Sequence, residues 1–332
     1  MKQNIKQDKD AAQVKNIVLM EGVSSAERFL YENKKTKSVL EDISLQIDRG
    51  EAWGISGLSG YEIKLLLEIM ANIRPYDKGR CVLIERGMLR HKRVILQHVF
   101  YIGNPDMIYN NMNVLEFLMF AMDCFHSDKV ALQDEIFEFV LSMGLGHISL
   151  TPNKMLTEAE KAVVALLAAA YSDSIMLVFN FPEYDFEEPL VEAIARVSRF
   201  IRDRGKSLII GTQNSSLIEK ACSHTAFLMD GKLVYKGTVE ELRLGYDKIT
   251  VILRDPNVHS MQEKLTPLLM ECKLSVKNDR LFISSKDGED CDPGSIYKKI
   301  AEAGIVPEHM ETNPKTVHNA YEEIVLRHDL QK

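Results

Sequence analysis

The sequence predicts an α/β fold with a parallel sheet covered on both faces, followed by a small α+β unit. Short apolar strands such as VILQHVFYI, IMLVFN and SLIIGT alternate with amphipathic helices, which is typical of parallel sheets. A run of helices over about residues 113–171 interrupts the alternation. The pattern changes again after residue 245, where shorter strands and helices predict a second unit over residues 246–332. Residues 1–14 are polar and predict a disordered tail.

The composition is that of a globular protein. The chain has 332 residues, of which 45% are hydrophobic and 27% are charged. Its net charge of -7 argues against nucleic-acid binding, because a protein that binds nucleic acid needs a basic surface. The longest apolar runs, Ala162–Ala170 and Ile175–Phe181, fall short of the roughly 20 residues that cross a bilayer. The polar N-terminus and the scattered cysteines predict a cytoplasmic protein with reduced thiols.

One strand leads through a glycine-containing loop into a helix. The strand AWGISG ends at Gly57 and is followed by Leu58, Ser59 and Gly60, after which EIKLLLEIMANI has the apolar periodicity of a helix. Strand, glycine loop and helix form a phosphate-binding turn when the N–H groups at the helix N-terminus face an anion. We therefore expect the functional site at this loop.

Four segments in order resemble the nucleotide-binding subunit of an ABC transporter over residues 16–245. They are SVLEDISLQIDRGEAWGISGLSG, ANIRPYDKGRCVLIERG, NNMNVLEFLMFAM and ACSHTAFLMDGKLVYKGTVEEL. The resemblance implies a RecA-like P-loop NTPase core over residues 15–245, with an antiparallel β subdomain and an α-helical subdomain. It also implies a dimer in which ATP lies between the phosphate loop of one subunit and the signature motif of the other. The C-terminal unit resembles the accessory domain of drug- and bacteriocin-exporter ATPases.

The phosphate loop departs from the family pattern G-x-x-x-x-G-K-[S/T] where that pattern contacts phosphate and magnesium. Glu62 stands at the second glycine, Ile63 at the lysine and Lys64 at the hydroxyl position. Since one residue along a helix rotates a side chain by about 100°, we expect Lys64 at the surface. We expect Glu62 either to fill the anion position itself or to cap the helix while facing solvent.

The hydrolytic strand of the family ends in Asp-Glu, whereas this strand ends in Asn180-Phe181. An amide has no charge to hold a magnesium shell, and a phenyl ring cannot accept a proton from the attacking water. Glu183 in the following loop is the candidate for a substitute base. The switch histidine of the family corresponds to Gln213.

The signature motif L-S-G-G-Q corresponds to Leu156, Thr157, Glu158, Ala159 and Glu160. Thr157 and Glu160 form a T-x-x-E pattern, which predicts a capping box at the start of a helix. The carboxylates of Glu158 and Glu160 would repel the γ-phosphate of a partner's ATP.

Two further positions complete the candidate nucleotide contacts implied by the resemblance. Asn104 aligns with the glutamine that couples nucleotide to the transmembrane partner, and Tyr31 is the first candidate for the adenine-stacking ring, with Phe29 as the second. If nucleotide binding survives, the cofactors are ATP and Mg²⁺. No protein metal site is expected.

These substitutions together predict a cassette subunit that does not hydrolyse ATP, because phosphoryl transfer depends on positioning and charge neutralisation. The expected partners are a second cassette, in a homodimer or heterodimer, and an integral membrane permease of an export complex. The permease contact is expected near Asn104 and the helices around Val114–Phe125, at the inner face of the cell membrane. Two alternatives remain: a divergent ATPase that uses Lys64 and Glu183 after a loop rearrangement, and a soluble regulator that binds another protein through the dimer surface.

Overall fold

A computed structural model describes residues 15–31, 35–87, 91–122, 129–246, 249–286, 292–312 and 316–329. The predicted tail over residues 1–14 lies outside the described residues. The chain divides into two compact units, the first ending at Val239 and the second beginning at Glu240. The boundary expected after residue 245 lies at the other end of the helix Val239–Tyr246, which belongs almost entirely to the second unit.

A six-stranded sheet lies at the centre of the first unit. Its order is β12-β11-β5-β10-β9-β8. The strands are β5 (Ala52–Gly57), β8 (Val99–Ile102), β9 (Met176–Asn180), β10 (Ser207–Gly211), β11 (His224–Met229) and β12 (Lys232–Thr238). All neighbours pair in parallel except β11 and β12, which form an antiparallel hairpin at one edge. Strands β5, β9 and β10 are buried along their whole length, as expected of parallel strands covered on both faces, so the predicted α/β class is confirmed.

A second sheet in this unit is antiparallel. Its order is β4-β1-β6-β7, and a separate hairpin joins β2 to β3. The strands are β1 (Asn16–Ser25), β2 (Arg28–Tyr31), β3 (Lys35–Ser38), β4 (Ile43–Asp48), β6 (Tyr76–Leu83) and β7 (Arg86–Gly87). Apolar side chains of this sheet, of helix α1 (Gly60–Met70) and of the central strands form one core, so α1 is held between the two sheets.

Helices surround the central sheet. They are α2 (Lys92–His98), α3 (Val114–Met122), α4 (Lys129–Ser142), α5 (Glu158–Tyr171), α6 (Glu188–Asp203) and α7 (Ser215–Ala221). Helices α3, α4 and α5 lie within the segment predicted as helical, residues 113–171. The prediction of one strand over VILQHVFYI is wrong in its first half, where α2 forms and β8 begins only at Val99. No helix in the described part of the chain is both long and apolar enough to cross a membrane.

The second unit begins with α8 (Val239–Tyr246) and contains an antiparallel sheet of order β14-β15-β13-β16. Its elements follow as β13 (Ile249–Arg254), α9 (Val258–Leu265), β14 (Cys272–Lys277), β15 (Arg280–Ser285), α10 (Pro293–Glu302), β16 (His309–Thr312) and α11 (Val317–Asp329). The order β-α-β-β-α-β with this strand arrangement is ferredoxin-like. Apolar residues of the sheet, α9 and α10 form a separate core.

Candidate functional site

The loop between β5 and α1 has the backbone course of a phosphate-binding turn. Gly57 ends the buried strand, and a Cβ atom there would lie 2.5 Å from the carbonyl oxygen of Leu228, so the position requires glycine. Ser59 is the N-cap of α1, and its Oγ accepts a hydrogen bond from the N–H of Glu62 at 3.3 Å. The helix therefore begins at the end of a central strand, as the sequence predicts.

Side chains of the protein itself lie against this loop. Nε2 of Gln213 donates hydrogen bonds to the carbonyl oxygens of Gly57 and Leu58, at 3.2 and 3.1 Å. Cγ of Glu183 lies 3.1 Å from the point where a Cβ atom of Gly60 would stand. Gly60 thus leaves room for Glu183, whose carboxylate would repel an anion approaching the first residue of α1.

Glu62 neither fills the anion position nor faces solvent as a helix cap, which were the two expectations from the sequence. Its Oε2 accepts a hydrogen bond from the N–H of Gly231, at 3.2 Å, in the turn between β11 and β12. Burial raises the pKa of the Glu62 carboxyl, and the nearby Asp230 raises it further, although the Gly231 N–H and Lys37 oppose the shift. The carboxylate therefore connects α1 to the hairpin, because a partly buried acceptor needs a donor and the turn provides one.

Ile63 and Lys64 separate into core and surface. Ile63, at the lysine position, is fully buried in the core between the sheets. The side chain of Lys64 is exposed, while its backbone carbonyl faces inward and accepts a hydrogen bond from Asn180. The side chain of Lys64 therefore points away from the position that binds phosphate in the family pattern, as the helix rotation between residues 63 and 64 predicts.

Asn180 acts as a hydrogen-bond donor at the end of β9. It is 2% exposed, and its Nδ2 donates to the carbonyl oxygen of Lys64 and to the hydroxyl of Tyr101, both at 3.1 Å. Among the described residues, Oδ1 has no hydrogen-bond partner. Burial raises the pKa of Tyr101 to about 12, so its hydroxyl stays protonated at neutral pH. An ionised carboxylate at position 180 could not donate to the Lys64 carbonyl, so it could not replace the amide in this contact.

Phe181, at the position expected for the general base, lies inside a group of aromatic rings. Phe181 is buried, and its ring centroid lies 4.9 Å from those of both Phe179 and Tyr184. Phe186 extends the group, with its centroid 5.7 Å from that of Phe179. Packing rather than proton transfer accounts for these side chains.

Helix α5 begins with the predicted capping box. Oγ1 of Thr157 accepts from the N–H of Glu160 at 3.2 Å, and the Glu160 carboxylate accepts from the N–H of Thr157 at 2.7 Å. Glu158 forms an ion pair with Lys161 at 2.9 Å, which raises the pKa of that lysine. The capping-box prediction is confirmed, and the first turn of α5 satisfies its own side chains.

The remaining candidates make local contacts. Asn104 is exposed, and its Oδ1 accepts from the N–H of Asp106 at 2.9 Å. Tyr31 lies in β2, but its side chain is outside the described part of the structure, and Phe29 is exposed. Among the described residues, neither Asn104 nor Phe29 forms a hydrogen bond or ring contact with the phosphate loop. Over the same residues no group of three or more His, Cys, Asp or Glu side chains could hold a metal ion.

Tyr101 is the site residue that the sequence analysis missed. It lies in β8, 79 residues before Asn180, and its hydroxyl accepts a hydrogen bond from the amide of that residue. The available signal is Gly103, since a Cβ atom there would lie 2.4 Å from the Tyr101 hydroxyl. A glycine two residues after a strand tyrosine is too common a pattern to identify this contact.

Known proteins with similar sequences are ATP-binding proteins of ABC transporters. The chain is 24% identical over 214 residues to the methionine import ATP-binding protein MetN of Wolinella succinogenes, covering 63% of this chain and 71% of that protein. It is 21% identical to nopaline permease ATP-binding protein P of Agrobacterium fabrum, covering 64% and 89%. A putative ABC transporter ATP-binding protein of Clostridium tetani is 21% identical, and the match spans 67% of this chain but about half, 51%, of that relative. No protein-family profile matches the chain.

Solved structures show the same fold. The chain matches cbiO1 from Clostridium perfringens, part of the ABC transporter complex cbiONQ, with a TM-score of 0.56 and 16% identity over 77% of this chain and 96% of that one. An ATP-binding subunit of an ABC transporter matches with a TM-score of 0.54 and 16% identity, over 69% and 93%. The predicted RecA-like P-loop NTPase fold is therefore confirmed. Sequence and fold together support a relationship to the ATP-binding subunits of ABC transporters.

The position of Glu62 predicts a pH-dependent effect on stability. A carboxyl whose pKa is raised by folding lowers the free energy of unfolding as the pH rises from the unfolded pKa to the folded pKa. Glu62→Gln keeps an acceptor for Gly231 and removes the charge, so relative to wild type it should be more stabilising at pH 7 than at pH 4. Urea unfolding at the two pH values measures the difference.

Glu192→Gln is the matched control for this prediction. Lys220 lowers the pKa of Glu192 through a hydrogen bond, so this carboxylate stabilises the fold above its unfolded pKa and loses that effect as the pH falls. Glu192→Gln should therefore be more destabilising at pH 7 than at pH 4. Equal pH dependence of the two variants would contradict the burial of Glu62.

Proposed function

We propose that this protein is an ABC-type cassette subunit that does not hydrolyse ATP and supports a membrane transporter from its cytoplasmic face. The observation that carries the proposal is the hydrogen bonding of Asn180. Its amide is committed to the Lys64 carbonyl and the Tyr101 hydroxyl, at the strand end where the family pattern places a magnesium-binding carboxylate. With Nδ2 engaged in this way, Asn180 offers a neutral amide oxygen in place of the charged carboxylate that holds a magnesium shell.

The surrounding residues support the same conclusion. Phosphoryl transfer needs cations to neutralise the transferred group and a group to orient the nucleophile. Ile63 is buried where the phosphate-binding lysine would stand, and Phe181 packs among aromatic rings where the base would stand. Gln213, at the switch position, is engaged with carbonyl oxygens of the loop. The lysine, base and switch positions thus hold side chains that pack or bond within the protein, and the hydroxyl position holds the exposed Lys64.

A divergent but active ATPase is the second candidate function. One observation favours it, because the Glu183 side chain lies against Gly60 and so brings a carboxylate to the loop. The rearrangement must also bring the exposed Lys64 inward by unwinding the first turn of α1. The Ser59 cap and the bond from Gly231 to Glu62 both oppose this unwinding. We therefore favour the non-hydrolysing cassette.

An exposed aromatic surface supports the proposed contact with a permease. Tyr109 and Phe120 are 52% and 55% exposed, and their rings meet edge to face with centroids 5.5 Å apart. Met107 lies on the same segment, three residues after Asn104, and is also exposed. Clustered exposed apolar side chains mark protein or membrane contacts, and this cluster lies where the sequence predicts the transmembrane partner.

The proposal includes export as the direction of transport and a dimer with a second cassette. The exporter type rests on the resemblance of the C-terminal unit to accessory domains, whereas the methionine relative is an import protein by its name. The second cassette is proposed to form a homodimer or heterodimer with this chain. ATP and Mg²⁺ are the cofactors of the proposed complex if this chain retains nucleotide binding or the second cassette supplies it.

The proposal predicts no magnesium-dependent ATP hydrolysis by the purified protein. Phosphate release from ATP and Mg²⁺ should equal that of buffer, since the described side chains at the lysine and base positions, Ile63 and Phe181, can neither neutralise the transferred phosphoryl nor orient water. Lys64→Ala, Glu183→Gln and the exposed control Lys232→Ala should all give the same background rate. Turnover that depends on Mg²⁺ and is lost in Lys64→Ala or Glu183→Gln, but not in Lys232→Ala, would establish the divergent ATPase instead.

The aromatic surface predicts recruitment to membranes in the native cell. The combined variant Tyr109→Ser and Phe120→Ser should shift the protein from the membrane fraction to the supernatant, because it removes the exposed apolar contact. Phe137→Ser is the control, since Phe137 is an exposed aromatic residue on α4. A wild-type protein found only in the supernatant would favour the soluble regulator, and equal loss in both variants would exclude a specific contact at Tyr109 and Phe120.

A further inference from the structure

A continuous series of polar side chains runs from the end of β9 along α1 to the connection between β1 and β2. We call this series the polar chain, and its members in order are Asn180, Tyr101, Glu68, Arg74, Glu27 and Tyr61. The Tyr101 hydroxyl donates to Glu68 at 3.5 Å, and Nε of Arg74 donates to the other oxygen of Glu68 at 3.0 Å. Nη1 of Arg74 lies 2.9 Å from the Glu27 carboxylate, whose second oxygen accepts from the Tyr61 hydroxyl.

The polar chain joins three layers of the first unit. Asn180 and Tyr101 belong to the adjacent central strands β9 and β8. Glu68 and Tyr61 lie on α1, the helix that follows the phosphate loop, and Glu27 lies between β1 and β2. The series therefore links the central sheet, α1 and the antiparallel part of the unit through side chains alone.

The polar chain is most buried at its Asn180 end. Asn180 is 2% exposed, whereas the side chains of Glu68, Arg74 and Glu27 are 13%, 51% and 30% exposed. Hydrogen bonds are stronger where water is excluded, and an unpaired polar group costs more there. The inner half, around Asn180 and Tyr101, must therefore stay satisfied, while the outer ion pairs contribute little unless they position the inner groups.

Gly103 is a second observation that points to Tyr101. A Cβ atom at position 103 would lie 2.4 Å from the Tyr101 hydroxyl oxygen and 2.5 Å from two ring atoms. The backbone at Gly103 does not adopt a positive φ, so no turn requires glycine there. The absence of a side chain serves instead to make room for the phenol that the polar chain needs.

We infer that the polar chain fastens α1 to the central sheet and to the connection between β1 and β2 without a nucleotide, acting as one cooperative unit. In this protein the amide of Asn180 and the phenol of Tyr101 occupy the strand ends beside the phosphate loop and bind α1 directly. Tyr101 is a positioning residue, since it acts through Asn180 and Glu68. This inference goes beyond the proposed function, because it concerns how the unit is held together whether or not ATP is turned over.

A double-mutant cycle between Tyr101→Phe and Glu27→Gln tests the cooperativity. The two residues do not contact each other, and sites without shared partners normally have additive effects. Each single variant should raise the unfolding equilibrium constant about fivefold, which is a typical effect of one lost hydrogen bond. If the polar chain acts as one unit, the double variant should raise it by less than about tenfold, because breaking one link already loosens the others.

Independent behaviour would overturn the inference. In that case Glu27→Gln alone has little effect, because it removes only an exposed ion pair, and the effect of the double variant equals the product of the two single effects. Tyr235→Phe combined with Glu27→Gln is the control and should multiply, because the Tyr235 hydroxyl bonds to the Thr238 carbonyl, outside the polar chain. Gly103→Ala should reproduce the single effect of Tyr101→Phe and its non-additivity with Glu27→Gln, and multiplication there would also count against the polar chain.

Hydrogen exchange provides a local readout for the same variants. Tyr101→Phe should speed exchange over residues 60–74 and around Glu27, whereas Tyr235→Phe should not. Faster exchange confined to β8 would contradict a link to α1 and to the connection between β1 and β2. The double-mutant cycle without nucleotide decides the inference about the polar chain. Phosphate release with ATP and Mg²⁺ is measured separately, and magnesium-dependent hydrolysis would count against the proposed function only.

Discussion

The hydrogen bond from the Asn180 amide to the Lys64 carbonyl is the contact on which the site depends. It joins the last residue of a central strand to the first turns of α1, across 116 positions of sequence. Because Nδ2 is a donor and the carbonyl is an acceptor, this pair cannot be made by the carboxylate that the family pattern places there. The Nδ2 donors of Asn180 thereby find partners within the protein, and the contact ties the end of β9 to α1.

The other altered residues follow the same principle. Glu62 has a backbone partner in the β11–β12 turn, Gln213 has partners in the loop, and Phe181 lies among aromatic rings. None of these groups is left as an unpaired charge in a closed site, which would cost several kcal/mol. In the proposed non-hydrolysing cassette, the scaffold persists because these three replacements each find a partner or a place in the core.

Local features were predictable from the sequence, and distant contacts were not. The capping box of α5 joins residues three positions apart, and the phosphate turn lies within one short segment, so both are evident in the pattern. The partner of Glu62 lies 169 positions away, and no local rule selects Gly231 over solvent. The strand predicted over VILQHVFYI begins as helix α2, since a short apolar run without clear periodicity fits either structure. The α/β class was predictable because it depends on the order of whole elements rather than on single contacts.

The stability of Asn180→Asp as a function of pH tests the central claim most directly. A carboxylate would face the Lys64 carbonyl in a buried site, so the free energy of unfolding should fall by about 3–5 kcal/mol at pH 7. Near pH 4 the loss should be smaller, because a protonated carboxyl can donate in place of the amide. Added Mg²⁺ should not restore the stability. A variant as stable as wild type at pH 7 would show that the strand end does not need the amide, and a variant that Mg²⁺ stabilises would show that the strand end still accepts a metal. Either result would contradict the account.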